Sequence, residues 1–262
     1  MKKEHIAIGL IALFFVGGIG FWYGRSTDIN LFGTGNVTPF ATSTNGQPPS
    51  TRGSSEGASS TGNITPPPQG TANSNNVSFT KNSVGYLGCS MTVNAIEGYH
   101  SEGGTTLWGE VGDFGGGTIS AWAGLLPTSK TYWSGFDAIL AKNPGTKAVW
   151  MELCISVKKG GTANDTYENA LVVRQEVLKR IPNAVIYVSA QPMYTEGHVC
   201  GIAGADGPAK MQEIADKLVA NGLAQKGPVL GPLATGQTAD PCHANASGKS
   251  TMGKQMVEFF DQ

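Results

Sequence analysis

Apolar residues are spread along this chain in three very different ways. Residues 6–23 are uncharged and almost wholly apolar. Residues 26–78 have almost no aliphatic periodicity, and residues 79–262 alternate compact apolar runs with stretches of helical spacing. In that last part, residues 84–88 read as a first strand and 91–99 as the helix that follows. Residues 105–111 make a weak second strand. Gly115-Gly116-Gly117 then opens onto a helical run over 118–126, with Ile119, Trp122 and Leu126 on one face. Residues 136–141 add a helical piece. Residues 147–155 are nearly all apolar, as expected of a central parallel strand buried on both faces. Asp165 is the expected cap of a helix that runs to Arg180 and is stopped by Pro182. A strand over 184–190, a helix over 209–221, a short strand at Pro228-Val229-Leu230 and a last helix over 246–260 complete the order. Strands separated by helices require crossover connections, hence a mostly parallel sheet covered on both faces.

The two N-terminal parts have another character. Residues 6–23 have the length of the ~17–25-residue apolar span that crosses a bilayer, and they end in Phe21-Trp22-Tyr23, which suits a membrane interface better than a cleavage site. Lys2 and Lys3 before the run, against Arg25 after it, favour a cytoplasmic N-terminus. Residues 1–25 are therefore expected to be a single-pass signal-anchor in the cell membrane, the alternative being secretion after cleavage. In both cases the rest is extracytoplasmic. Residues 26–78, rich in Ser, Thr, Gly, Asn and Pro, bury too little to offset their ordering entropy and should be a disordered linker. Such a tether holds a domain about 40 Å from the membrane on average. Residues 79–262 form the one expected globular domain.

The formal net charge is −1, and no Lys/Arg cluster occurs beyond Lys158-Lys159, which excludes nucleic acid as an expected partner. Two motifs carry the chemistry. Gly88-Cys89-Ser90-Met91-Thr92 places a serine on a strand-to-helix turn, and Asp240-Pro241-Cys242-His243 precedes the last helix. They supply a nucleophile, a base that can take its proton and a carboxylate that can orient the base. Ligands of parallel sheets bind at the carboxyl ends of the strands. Ser90 and Cys154 both fall at such ends, and His243 follows the last one.

These two motifs resemble the Gly-Asp-Ser and Asp-x-x-His blocks of the SGNH (GDSL-type) hydrolases, over roughly 83–262. The resemblance implies a flavodoxin-like three-layer α/β/α fold and a serine hydrolase acting on esters without a cofactor. It makes Ser90 the nucleophile, His243 the base and Asp240 its orienter. The oxyanion hole would be formed by Ser90 and by Gly117, with Gly116 as the less favoured match. The family's third block, Gly-x-Asn-Asp, aligns with Leu153-Cys154-Ile155-Ser156, so Ser156 stands where the asparagine belongs. Asn164, in the loop that follows, is the alternative donor. Cys89 replaces the usual aspartate of the first block.

Each candidate has a plainer reading. Ser90 could be a helix cap, alone or as well as a nucleophile. His100 is expected to be a solvated loop residue, with substrate contact as the alternative. Cys200 and Cys242 are expected to form a disulfide that pins the histidine loop. Zinc held by His198, Cys200, Cys242 and His243 is the alternative, and adjacent Cys242 and His243 cannot easily share one ion. No metal is expected. Cys89 and Cys154 fall at the ends of neighbouring strands if the strand order is the usual one, bonded or simply packed. Trp122 and Trp150 read as core, whereas Trp108, Tyr132 and Trp133 could line a cleft. The leading expectation is a membrane-tethered esterase for acetylated glycans or, second, lipid esters. The rival is an SGNH-fold surface module that binds without catalysis.

Overall fold

The computed structural model describes residues 78–112, 117–125 and 129–262. The expected anchor over 1–25, nearly all of the linker over 26–78, and Gly116 lie outside the described residues. Among the described residues no helix is long and apolar enough to cross a membrane.

Four strands, β1 (Val84–Leu87), β2 (Ala148–Leu153), β3 (Val185–Ala190) and β4 (Gln225–Lys226), form one parallel sheet in the order β1-β2-β3-β4. Leu87 lies beside Met151, and Leu153 beside Ala190. Every residue of β1 and β2 is buried, which explains why these strands show no regular apolar/polar alternation. Among the described residues six α-helices accompany the sheet: α1 (Ser90–Ser101), α2 (Ile119–Trp122), α3 (Ser129–Lys142), α4 (Tyr167–Arg180), α5 (Gly207–Ala220) and α6 (Ala246–Phe260).

Leu107 bridges Val84 in parallel on the side of β1 away from β2. The chain therefore leaves β1 in one lateral direction and later builds β2, β3 and β4 in the other. With right-handed crossovers, α1 lies on one face of the sheet and α3, α4 and α5 on the other. The packing agrees: α1 rests on α6, while α4 contacts both α2 and α5.

Several elements differ from expectation, each for a local reason. The strand over 105–111 shrinks to the single bridge at Leu107, bracketed by Gly103-Gly104 and Gly109. The helix over 118–126 ends at Trp122, soon followed by Gly124 at φ +95°. The piece over 136–141 is the C-terminal half of α3. The strand expected at 228–230 lies earlier, at Gln225–Lys226. The Gly227 amide still donates to Val188 O, and Pro228 then has no N–H to continue the ladder. Helix α4 is capped by Thr166, whose hydroxyl accepts from the Asn169 amide, and not by Asp165.

The three uncommitted aromatics belong to the core. The Trp108 indole covers Gly85, where a Cβ would lie 2.6 Å from the ring. Trp133 Nε1 donates to Trp122 O, and Trp122 Nε1 donates to Gly88 O. Tyr132 is buried against Trp122. These indoles thus support the backbone just before Ser90 from below.

The tightest helix contact joins the first helix to the last. A Cβ on Gly98 of α1 would sit 1.9 Å from Lys249 O, and one on Gly253 of α6 would sit 2.3 Å from the Gly98 carbonyl carbon. Backbone meets backbone there, so neither position has room for a side chain. Gly98→Ala should destabilise the protein by about 1–3 kcal/mol, the usual cost of overpacking. Gly135 of α3 has nothing within 4 Å of its Cβ site, so Gly135→Ala should stabilise by about 0.5–1 kcal/mol through helix propensity. Denaturant midpoints of the two variants should move in opposite directions, and a shift in the same direction would contradict the crossing.

Candidate active site

The serine is placed by the turn that links β1 to α1. Cys89 occupies the cap position in extended conformation, and its amide donates to Thr92 Oγ1 at 2.8 Å. Ser90 is the first helical residue, so its hydroxyl is not used as the cap. Ser90 Oγ lies 2.8 Å from His243 Nε2, across a sequence separation of 153. His243 Nδ1 lies 2.7 Å from Asp240 Oδ2. Asp240 Oδ1 accepts the amides of Cys242 and His243, each at 2.7 Å. The His243 amide first, then the imidazole and the Cys242 amide, hold the Asp240 carboxyl down at about 2. It is therefore ionised and purely an acceptor, so Nδ1 carries the imidazole proton and Nε2 is free to accept from Ser90. The Asp240 side chain is half exposed. The pair adds little stability, and its effect is to orient the ring.

The histidine loop is fixed from several sides. Cys200 and Cys242 are bonded, with Cα atoms 4.5 Å apart, so these two sulfurs are not zinc ligands. Tyr194 donates to Cys242 O at 2.8 Å and stacks on His198 with centroids 4.8 Å apart. His198 Nε2 faces Pro241 O at 2.8 Å, which requires a proton on that nitrogen. Asn94 Oδ1 on α1 accepts the Ala244 amide at 2.9 Å. Nothing in the two sequence motifs themselves marks Asn94, Tyr194 and His198 as supports of the triad. Asn94 had a readable signal, because it lies one turn after Ser90 and so shares its helix face. His100 does not reach the cleft. Instead of lying in a solvated loop it is half-buried in the last turn of α1, with its ring nitrogens facing Gly104 O and Trp108 O of the loop that follows.

The candidate oxyanion donors besides Ser90 are Ser156, Gly117 and Asn164. Ser156 is buried and lines the same cleft as Ser90, His243 and Thr118. Gly117 is buried one residue before Thr118. Asn164 folds back on its own loop, where its side-chain amide donates to Lys159 O. Asp165, expected as a cap, is buried and does something else. Its Oδ1 accepts the Ser120 amide at 2.8 Å, and its Oδ2 accepts the Ser156 amide at 3.3 Å. Ile119 N also donates to Cys154 O. The start of α2 and the chain after β2 are thereby stapled together through one carboxylate. The cleft has a volume of about 430 Å³, with Met91, Ile155, Ile202 and Ala203 among its walls.

Cys89 and Cys154 are bonded as well, with Cα atoms 6.2 Å apart. Behind them Glu152 is fully buried, and its Oε2 accepts the Thr92 hydroxyl. Gly88 is needed here, since a Cβ would lie 2.0 Å from Thr92 Oγ1. Burial pushes the Glu152 carboxyl up to about 8, with the Thr92 hydroxyl pulling the other way.

No known family profile matches the chain, and no curated protein is similar to it. Among solved structures, a candidate GDSL-like lipase from Parabacteroides merdae superposes with a TM-score of 0.42 at 11% identity, over 70% of this chain and 97% of that one.

The raised Glu152 acid makes a pH prediction. The unfolded chain loses this proton near 4.5 and the folded chain near 8. The contribution of this group to stability is therefore complete below pH 4.5, falls as pH rises to about 8, and is flat beyond. The Tyr194 hydroxyl, which feels the Glu152 charge and is itself raised by burial, keeps its proton across that window. Denaturation midpoints of Glu152→Gln relative to the parent should rise steadily between pH 5 and 8. Parallel profiles would contradict a buried, protonated Glu152.

Proposed function

We propose that this chain is an extracytoplasmic serine ester hydrolase with an SGNH-type, flavodoxin-like three-layer fold. The observation that carries the reading is the continuous relay from Ser90 Oγ to His243 Nε2, and from His243 Nδ1 to Asp240. Ser90 attacks the ester carbonyl while His243 takes its proton, and Asp240 balances the imidazolium. The oxyanion is met by the Ser90 amide at the start of α1, by Gly117 and by the Ser156 hydroxyl. His243 returns the proton to the leaving alcohol, and water then cleaves the acyl-enzyme by the same steps in reverse. The mechanism needs no cofactor.

The walls of Met91, Ile155, Ile202 and Ala203 favour an aliphatic acyl group. That ranks lipid esters above the acetylated glycans to which a tethered envelope enzyme first points. Two disulfides suit an oxidising compartment, in keeping with a membrane anchor over 1–25.

The full chain and Ser90→Ala should be compared on p-nitrophenyl acetate, butyrate and hexanoate. Ser90→Ala should lose at least about 10³-fold in turnover. In the parent, kcat/KM should climb with chain length by up to about fourfold per methylene, the equivalent of ~0.8 kcal/mol per buried CH₂. Ser156→Ala should lower turnover by less than the ~10²–10³ of a strong oxyanion donor, and Asn164→Ala should be silent. Equal rates for the parent and Ser90→Ala would favour a binding module without catalysis.

A further inference from the structure

The Cys89–Cys154 disulfide lies in the wall of the cleft of the candidate site. It ties the residue before Ser90 to the residue two before Ser156, and both of its cysteines line the cleft. A carboxyl group sits against it. Glu152 Oε2 is 3.7 Å from Cys154 Sγ, and the two sulfurs and a carboxyl oxygen all lie within 4.8 Å of one another. Glu152 is 2% exposed, and among the described residues its Oε1 has no hydrogen-bond partner. A buried acid with one oxygen left unpaired costs stability, and ester hydrolysis makes no use of this one. The second disulfide of the same cleft is differently surrounded. Cys200 and Cys242 receive the amides of Ala203 and Ile202, and Cys242 serves the histidine loop.

We propose that Cys89–Cys154 is a thiol–disulfide exchange site, opened by a dithiol reductant that enters the cleft, with Glu152 as its proton donor. A thiolate of the reductant attacks Sγ of Cys89, the more exposed of the two cysteines at 7% against 2% for Cys154. A bond forms between the reductant and Cys89, and the Cys89–Cys154 bond breaks. Its electron pair goes to Cys154 Sγ, which takes the proton from Glu152 and leaves a carboxylate still bonded to the Thr92 hydroxyl. The second thiol of the reductant gives up its proton and attacks its own sulfur in the mixed disulfide. Cys89 departs as a thiolate and picks up a proton from solvent. Two electrons pass from the dithiol to the protein, and the reductant leaves as a disulfide. Protonating the leaving sulfur lowers the barrier, because exchange is faster the better its leaving group. Burial holds the Glu152 proton at neutral pH, where a surface carboxyl would have lost it.

Opening the bond frees the nucleophile turn from the end of β2, so ester turnover should fall. That consequence rests on the esterase reading, whereas the exchange itself does not. The test treats the full chain with dithiothreitol under native conditions and samples it over time. Cysteines are alkylated and mapped by mass spectrometry, and ester turnover is read before alkylation. Cys89 and Cys154 should become labelled in folded protein. Glu152→Gln should slow their opening by about tenfold or more, at or below the ~10²–10⁴ of an optimised general acid, while leaving the opening rate of Cys200–Cys242 unchanged. Labelling of Cys89 and Cys154 only in urea, or an unchanged rate in Glu152→Gln, would overturn the site. Because the urea comparison uses the parent chain, it decides even if the variant folds poorly. Full opening without loss of turnover would remove the link to ester hydrolysis. An absence of ester turnover with selective opening would sink the esterase reading and keep the exchange site.

Discussion

The crossing of α1 and α6 is the contact on which the candidate site depends. Ser90 is the first residue of α1, and His243 lies just before α6. The first and last helices of the domain must therefore meet in one register, or the two residues do not. Gly98 and Gly253 allow the backbones to touch, and Asn94 adds a hydrogen bond from α1 to Ala244 at the end of the histidine loop. The sheet supplies the rest of the frame. Its parallel β1–β2 pairing brings Cys89 and Cys154 side by side, and it carries Ser156 into the cleft that Ser90 lines.

Three carboxyl groups illustrate how environment divides labour within one site. Asp240 is half exposed and surrounded by N–H donors, so it stays ionised and orients an imidazole. Asp165 is buried but meets two backbone amides, which turns it into a staple between α2 and the chain after β2. Glu152 is buried with one hydroxyl and an apolar surround, and it keeps its proton. The same functional group is an orienter, a brace and an acid store, and solvent and donor count decide which.

Much of this was legible in the sequence because it depends on local pattern. The nearly all-apolar character of β2, broken only by Glu152, announced a strand buried on both faces, and α6 begins and ends where its spacing places it. Parallel strands put Ser90, Cys154 and His243 at one edge, and the three residues line one cleft. What escaped depends on distant partners. Asp165 has the residue type and position of a helix cap, and nothing nearby in the sequence reveals the Ser120 and Ser156 amides that claim it. Trp108 stands in a glycine-rich, polar stretch, and its burial follows from the space over Gly85. Pro228 truncates β4 through a missing N–H, a signal that was present but outweighed by the apolar Val229 and Leu230.

The central claim is that Ser90 is activated by His243 within this frame. A fluorophosphonate tests it most directly, because phosphorus is attacked only by a hydroxyl whose proton has somewhere to go. The account predicts one phosphonyl group per full chain, located on Ser90 by mass spectrometry, with labelling slowed at least about 10²-fold in His243→Ala. An unlabelled Ser90, or labelling as fast without His243 as with it, would contradict it.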